Sequence, residues 1–90
     1  MLELSHKKLD VWKKSIELVS EVYKLTSNFP SQEQIGLTSQ IRRTAISIPS
    51  NISEGKACSS KAETLRFLDI PRASLVELDT QIEIANKLNY

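Results

Sequence analysis

The chain has 90 residues, of which 40% are hydrophobic and 26% are charged, the composition of one small globular domain covering residues 1–90. Its net charge of +1 is too small for nucleic-acid binding by bulk charge, so any basic surface has to be local. One cysteine and one histidine exclude an internal disulfide and a structural zinc site of the Cys/His type.

Three helices are predicted, over about residues 8–27, 32–54 and 60–88. The chain contains two glycines and three prolines, and long stretches of residues that favour helices separate them. Each helix would be roughly 30 Å long or more at 1.5 Å per residue. Short loops between helices of this length predict an all-α fold, an antiparallel up-and-down helical bundle.

Capping signals place the predicted helix ends. Ser31 followed by Gln34 has the spacing of a capping box, which predicts the start of the second helix there. Gly55 is predicted to end that helix as a left-handed cap. Ser60 followed by Glu63 repeats the capping-box pattern and predicts the start of the third helix.

The apolar faces of the predicted helices are wider than one core requires. The first helix carries two stripes that together span an arc of roughly 200°, whereas a helix facing one core needs about 100°. The first stripe consists of Leu9, Trp12, Ile16, Val19 and Tyr23, and the second consists of Val11, Leu18, Val22 and Leu25. The first helix is therefore expected to be buried on two sides.

The other two helices show the same excess of apolar residues. The main stripe of the second helix is Leu37, Ile41, Ala45, Ile48 and Ile52. The third helix has a stripe of Phe67, Leu68, Leu75, Leu78, Ile82 and Ala85, with further apolar residues around it. We expect other subunits or a fourth helix to cover the remainder. The residues predicted to form an oligomer interface are Val11, Leu18, Val22, Ile35 and Ile46.

Two prolines fall inside predicted helices. Pro49 removes a backbone hydrogen bond to Ala45, so the second helix is expected to bend there at a cost of about 3 kcal/mol. Pro71 predicts a kink or break near residues 67–71 if its face is buried. Short polar residues that could satisfy freed backbone groups or face a closely packed helix are Ser47, Ser50 and Asn51. A shape-determining role is favoured for both prolines, and a ligand-binding hinge is the alternative.

The segment from Gly36 to Gly55 carries a family resemblance. Its motifs Gln-Ile-Arg-Arg (residues 40–43) and Ile-Pro-Ser-Asn-Ile (residues 48–52) resemble the signature of the bacterial four-helix-bundle family, also described as 23S rRNA intervening-sequence proteins. That family includes the accessory variability protein of diversity-generating retroelements. The likeness covers nearly the whole chain and extends to residues 9–12, 29–30, 67–68 and 73–81.

This resemblance implies a non-catalytic helical bundle that forms a ring-like homopentamer with a basic surface. In some members that surface binds nucleic acid or a reverse transcriptase. The chain departs from the family at Pro71, where members usually have a small residue, and beyond Tyr90, where they continue into a fourth helix. The expected fold is thus of the four-helix-bundle type, with the fourth helix missing or truncated.

Catalytic chemistry has little support in the sequence. A nucleophile needs a base nearby, and Cys58 and His6 are far apart in the chain. The third helix has carboxylates but no histidine for an inward Glu-x-x-His pair of the di-iron type. Trp12 and Tyr23 have core spacing, which favours packing over base stacking. We therefore expect no enzyme activity, no catalytic residue, no metal and no cofactor.

Basic residues near the second break are the better candidates for function. Residues 1–72 contain 11 Lys and Arg against 8 Asp and Glu, a net charge of +3. The residues predicted to bind nucleic acid are Arg42, Arg43, Lys56, Lys61 and Arg66. An interface role for Arg43 is equally favoured by spacing alone. In an oligomer these basic residues would recur in every subunit, and the affinity for nucleic acid would rise because phosphate contacts add through counterion release.

Two hypotheses follow for the function. The first is an oligomeric helical scaffold that binds RNA or DNA, with affinity that falls steeply with salt and with little base specificity. The second is a structural adaptor that recruits a protein partner such as a reverse transcriptase without binding nucleic acid. Residues 1–8 lack the apolar region of a signal peptide, and no run approaches 18 apolar residues. We accordingly expect a cytoplasmic protein without membrane association.

Overall fold

A computed structural model describes Leu2 and residues 4–90. The described chain contains three α-helices and no strand, which confirms the all-α fold class. The helices are α1 (Asp10–Thr26), α2 (Leu37–Ala57) and α3 (Lys61–Lys87), and 3-10 turns at Ser5–Lys8 and Ser31–Glu33 precede the first two. None of these helices combines the length and apolar character needed to cross a membrane.

The central helix of the fold is α2. It packs against both α1 and α3, whereas over the described residues α1 and α3 do not approach each other closely. The last residue of the chain, Tyr90, reaches Glu33 just before α2 begins, so α3 runs antiparallel to α2. The dimensions of 43 × 28 × 20 Å are those of a flattened bundle with an open groove between its outer helices.

The core is built around the apolar stripe predicted for α2. Ile41 and Ala45 are fully buried, and Ile48 and Ile52 are nearly so. The buried apolar residues supplied by the rest of the chain are Val22, Phe29, Leu78 and Ala85. The 3,4 spacing of α2 therefore predicted its buried face correctly.

The buried face of α1 differs from the prediction. Its most buried positions are Val22, from the second predicted stripe, and Ser15 and Thr26, which lie between the two stripes, while Ile16 and Tyr23 are exposed. Ser15 donates to the Trp12 carbonyl at 2.6 Å and Thr26 to the Val22 carbonyl at 2.8 Å. Because these hydroxyls are satisfied within their own helix, small polar residues can occupy the packed face.

The predicted start of α2 was wrong. Ser31 and Gln34 belong to a 3-10 turn and its end, and the α-helix begins six residues after Ser31 at Leu37. Glu33 takes the capping role, since its Oε1 accepts a hydrogen bond from the Leu37 amide at 3.1 Å. One half of the capping box predicted at Ser60 is confirmed. The Ser60 Oγ accepts a hydrogen bond from the Glu63 amide at 3.2 Å.

Gly55 does not end α2, contrary to the prediction. The helix continues to Ala57, and Gly55 is buried within it without a positive φ. A Cβ at this position would lie 3.1 Å from the Cβ of Phe67. Glycine is therefore favoured here because α2 and α3 approach closely, not because the backbone is left-handed.

Both internal prolines lie inside continuous helices. Pro49 and Pro71 are buried, and each helix continues through its proline, so of the predicted kink or break near residues 67–71 the break is absent. Ser47 fulfils the expectation of facing a neighbouring helix, since its Oγ lies within hydrogen-bond distance, 2.9 Å, of the Oγ of Ser74 on α3. Asn51 donates to the Ser47 carbonyl at 2.7 Å. Polar side chains thus bond along the segment that contains Pro49.

Candidate nucleic-acid interface

The predicted basic residues lie in two groups at opposite ends of α2. Arg42 and Arg43 lie near its beginning, which we call the recess end. Lys56 follows near its last turn, and Lys61 and Arg66 lie in the first part of α3, which we call the turn end. At 1.5 Å per residue the two groups are about 20 Å apart along α2. The structure therefore does not gather them into one patch.

Arg42 is held by residues of α1. Its Nε donates to Thr26 Oγ1 at 2.8 Å, and its Nη2 donates to the Tyr23 carbonyl at 3.3 Å. The guanidinium carbon also lies 4.3 Å from the centre of the Tyr23 ring, a cation–π distance. Arg42 thus joins α2 to the end of α1 through three contacts.

Arg43 projects from the next position and is exposed. Together with Arg42 it borders an open recess of about 350 Å³, which we call the arginine recess. The remaining lining residues are Tyr23, Gln34, Thr38, Ser39 and Ile46. Two cationic side chains and several polar ones thus surround one depression on the surface.

The basic residues at the turn end have fewer contacts. Lys56 and Lys61 are exposed, and the guanidinium carbon of Arg66 lies 5.7 Å from the centre of the Phe67 ring. Within the described part of the chain the single side-chain ion pair joins Lys24 to Glu21 at 3.5 Å. All five predicted basic residues therefore keep their charge unpaired by any described carboxylate.

The carboxylate of Glu33 precedes α2 in the chain and does not line the arginine recess. Glu33 Oε2 accepts a hydrogen bond from the Tyr90 hydroxyl at 2.6 Å, and its Oε1 accepts from the Leu37 amide. The bond from Tyr90 and the bond from Leu37 lower the pKa of Glu33 below its ordinary value of 4.5. The same contact raises the pKa of Tyr90 above 10.0. Glu33 is thus ionised at neutral pH and directed at these two donors.

The predicted interface residues are dispersed over the surface. Val11 and Leu18 line an apolar groove of about 370 Å³ between α1 and α3, floored by Ile48 and Ile52. Ile46 borders the arginine recess on another side of α2. The assignment of Val22 needs correction, because it is 3% exposed and belongs to the core of the single chain. The fifth residue of that set, Ile35, is 97% exposed.

The aromatic and reactive side chains take structural positions. Trp12 packs against the core, and the ring of His6 contacts it edge-on at 5.3 Å. Tyr23 is exposed, but the Arg42 guanidinium covers one face of its ring. The Cys58 thiol is 3.2 Å from the Glu54 carbonyl, its hydrogen-bond acceptor. His6 and Cys58 thus each contact neighbours close in sequence.

Sequence reasoning missed the polar lining of the arginine recess. Thr38 and Ser39 each precede one of the two arginines by four residues, which places each pair on one helix face. That spacing was a usable signal. The contact of Tyr23 with Arg42 could not be read from the sequence, because it depends on where the end of α1 lies relative to α2.

The fold and its exposed basic residues define a small all-helical protein of the helical-bundle class. Residues 7–90 match the family model of the 23S rRNA-intervening sequence protein. The chain belongs to this family, which confirms the resemblance carried by its central segment. A search of curated proteins finds no match.

Proposed function

We propose that the protein is a non-catalytic homo-oligomer that binds RNA or DNA through basic residues repeated around the assembly. The observation that carries this proposal is the exposure of Arg43, Lys56, Lys61 and Arg66, none of which pairs with a carboxylate in the described chain. Unpaired surface cations release counterions from phosphates on binding, and their contributions add. Arg42 is a weaker candidate, since it is already bonded to α1.

Removing the exposed cations tests the proposal. A variant with Gln at Arg43, Lys56, Lys61 and Arg66 is compared with a control that loses four cations elsewhere, namely Lys8, Lys13, Arg72 and Lys87. Binding to single-stranded RNA and to duplex DNA is measured by fluorescence anisotropy. The first variant should lose most of its affinity, and the control should keep most of it. Equal losses would show that position is irrelevant and would contradict the proposal.

Self-association, with a pentamer favoured, is the second part of the proposal. Val11, Ile35 and Ile46 are exposed apolar residues, and Val11 borders the apolar groove between α1 and α3, a contiguous surface of the kind that another chain covers. Sedimentation analysis should give a mass above that of one chain. Ile35→Ser should lower that mass without unfolding the protein, whereas Ile84→Ser, at an exposed residue outside the predicted set, should not. A monomer at millimolar concentration would contradict this part.

The alternative function is a structural adaptor that recruits a protein partner, such as a reverse transcriptase, without direct nucleic-acid binding. The observation that favours it is the groove between α1 and α3, whose lining is largely apolar and includes Leu68 and Leu75. The same four-residue variant separates the two functions. Partner recruitment that survives it, together with no RNA or DNA binding by the unmodified protein, would favour the adaptor.

A further inference from the structure

The arginine recess has a donor set suited to a single anion. Arginine carries five N–H donors. Arg42 donates hydrogen bonds to α1 from its Nε and from one N–H of Nη2. Three of its N–H donors therefore remain for a ligand. Arg43 is exposed and borders the arginine recess, so its guanidinium remains available as well. Contacts with Thr26 and Tyr23 hold Arg42 in place before any ligand arrives, which reduces the entropy lost on binding.

The buried hydroxyl of Thr38 is a second, independent observation. Thr38 lines the arginine recess and is 1% exposed, yet its Oγ1 has no hydrogen-bond partner in the described structure. The buried threonines Thr26 and Thr44 instead donate to the carbonyl four residues earlier, at 2.8 and 2.9 Å. For Thr38 that residue is Gln34, which precedes the helix. A buried hydroxyl without a partner is uncommon in proteins.

The position of the arginine recess along α2 adds to its preference for anions. Thr38 and Ser39 are the second and third residues of α2, where backbone amides lack carbonyl partners within the helix. The positive end of the helix dipole lies here. The amide before them, that of Leu37, is already bonded to Glu33. No carboxylate lines the arginine recess itself within the described residues.

We propose that the arginine recess is a binding site for one phosphate group. Arg43 and the remaining donors of Arg42 would contact the phosphate oxygens, together with the hydroxyl of Ser39. The Thr38 hydroxyl, which is buried and inaccessible to solvent, would join them once its side chain rotates towards the arginine recess. Phosphate fits better than a carboxylate because its several oxygens can accept bonds from two guanidinium groups at once. The volume of about 350 Å³ also leaves space for the group that carries the phosphate.

The phosphate has two sources, a nucleic-acid backbone or free phosphate. The first source rests on the proposed function, and the second does not. Titrations followed by amide NMR separate them, with inorganic phosphate in one arm and a short single-stranded RNA in the other. If the backbone is the source, RNA shifts the Thr38 and Ser39 amides and inorganic phosphate competes with it. If free phosphate is the ligand, these amides respond to inorganic phosphate alone.

Two variants test the donors directly. Arg43→Gln should weaken inorganic phosphate binding roughly tenfold, the effect expected for a lost bond between charged groups. Thr38→Val keeps the shape of the side chain and should weaken binding several-fold without lowering the unfolding midpoint, because the hydroxyl it removes is unbonded. The controls are Arg72→Gln and Thr44→Val, which alter a cation and a hydroxyl outside the arginine recess and should leave phosphate affinity unchanged.

The outcomes distinguish this inference from the proposed function. RNA binding without any response of the Thr38 and Ser39 amides to phosphate would overturn the phosphate site and leave the proposed function standing. Phosphate binding that depends on Arg43, with no binding of RNA or DNA, would support the site and contradict the proposed function. Preference of the arginine recess for a glutamate-rich peptide over phosphate would also overturn the inference.

Discussion

The two ends of α2 are held against their neighbours by different kinds of contact. At the recess end, polar and cation–π contacts from Arg42 join α2 to α1, and the Tyr90–Glu33 hydrogen bond holds the end of α3. At the turn end, α3 packs so closely that Gly55 faces the Cβ of Phe67. Arg42 at the recess end therefore also stabilises the fold, whereas the exposed Arg43 beside it and the basic residues at the turn end are available for binding.

The largest effect is expected at the turn end. Gly55→Leu would push a side chain into the backbone-fixed Cβ of Phe67, 3.1 Å from the first added carbon. Because α2 and α3 would be forced apart, the substitution should lower the free energy of unfolding by about 3 kcal/mol, at the upper end of overpacking effects. Urea unfolding measures this loss. Ala57→Leu, on the exposed side of the same turn, is the control, and equal stability of the two variants would refute the close approach.

The next effect is expected at the recess end. Arg42→Ala removes two hydrogen bonds to α1 and the cation–π contact with Tyr23, which should lower the free energy of unfolding by about 2 kcal/mol. Arg43→Ala, its exposed neighbour, should change it by less than about 0.5 kcal/mol. Thermal and urea unfolding of both variants check the difference. Similar values for the two arginines would show that Arg42 has no special structural part.

The smallest effect concerns the bond between Tyr90 and Glu33, both partly exposed to solvent. The lowered pKa of Glu33 means that its contribution to stability is present above pH 4.5 and is lost as the pH falls through its folded-state value. The raised pKa of Tyr90 means that its contribution is complete below pH 10.0 and is lost as the pH rises through the folded-state value. Tyr90→Phe should slightly reduce the loss of unfolding free energy at acidic pH and at alkaline pH, as measured by unfolding curves at several pH values. An unchanged profile would argue against this bond in solution.

The same contrast explains what the sequence could predict. The stripe through Ile41 and Ile48 and the cap at Ser60 follow from local spacing, so they were predicted correctly. The start of α2 was misplaced because Ser31 and Glu33 both offer capping groups, and it is Glu33, also contacted by the distant Tyr90, that bonds the first amide of the helix. A glycine near a helix end usually signals a cap, and only the position of Phe67 shows that Gly55 serves packing instead.

The candidate site was predicted in part for a similar reason. The basic residues are visible in the sequence, and the spacing from Arg43 to Lys56 along a helix already separates them into two groups. The contacts of Arg42 depend on where α1 ends, because Tyr23 and Thr26 lie in its last turns. Thr38 is recognisable as part of a candidate site only once the position of Arg42 is known. Tertiary packing therefore decides which cations are structural and which are available to a ligand.

The most direct test of the account is the salt dependence of binding to single-stranded RNA by the unmodified protein. If exposed cations contact phosphates, the logarithm of the binding constant should fall linearly with the logarithm of salt concentration, with a slope of roughly −0.7 for each phosphate neutralised. Several contacts per subunit therefore predict a steep decline between low and physiological salt. Affinity that stays constant over this range would contradict the account.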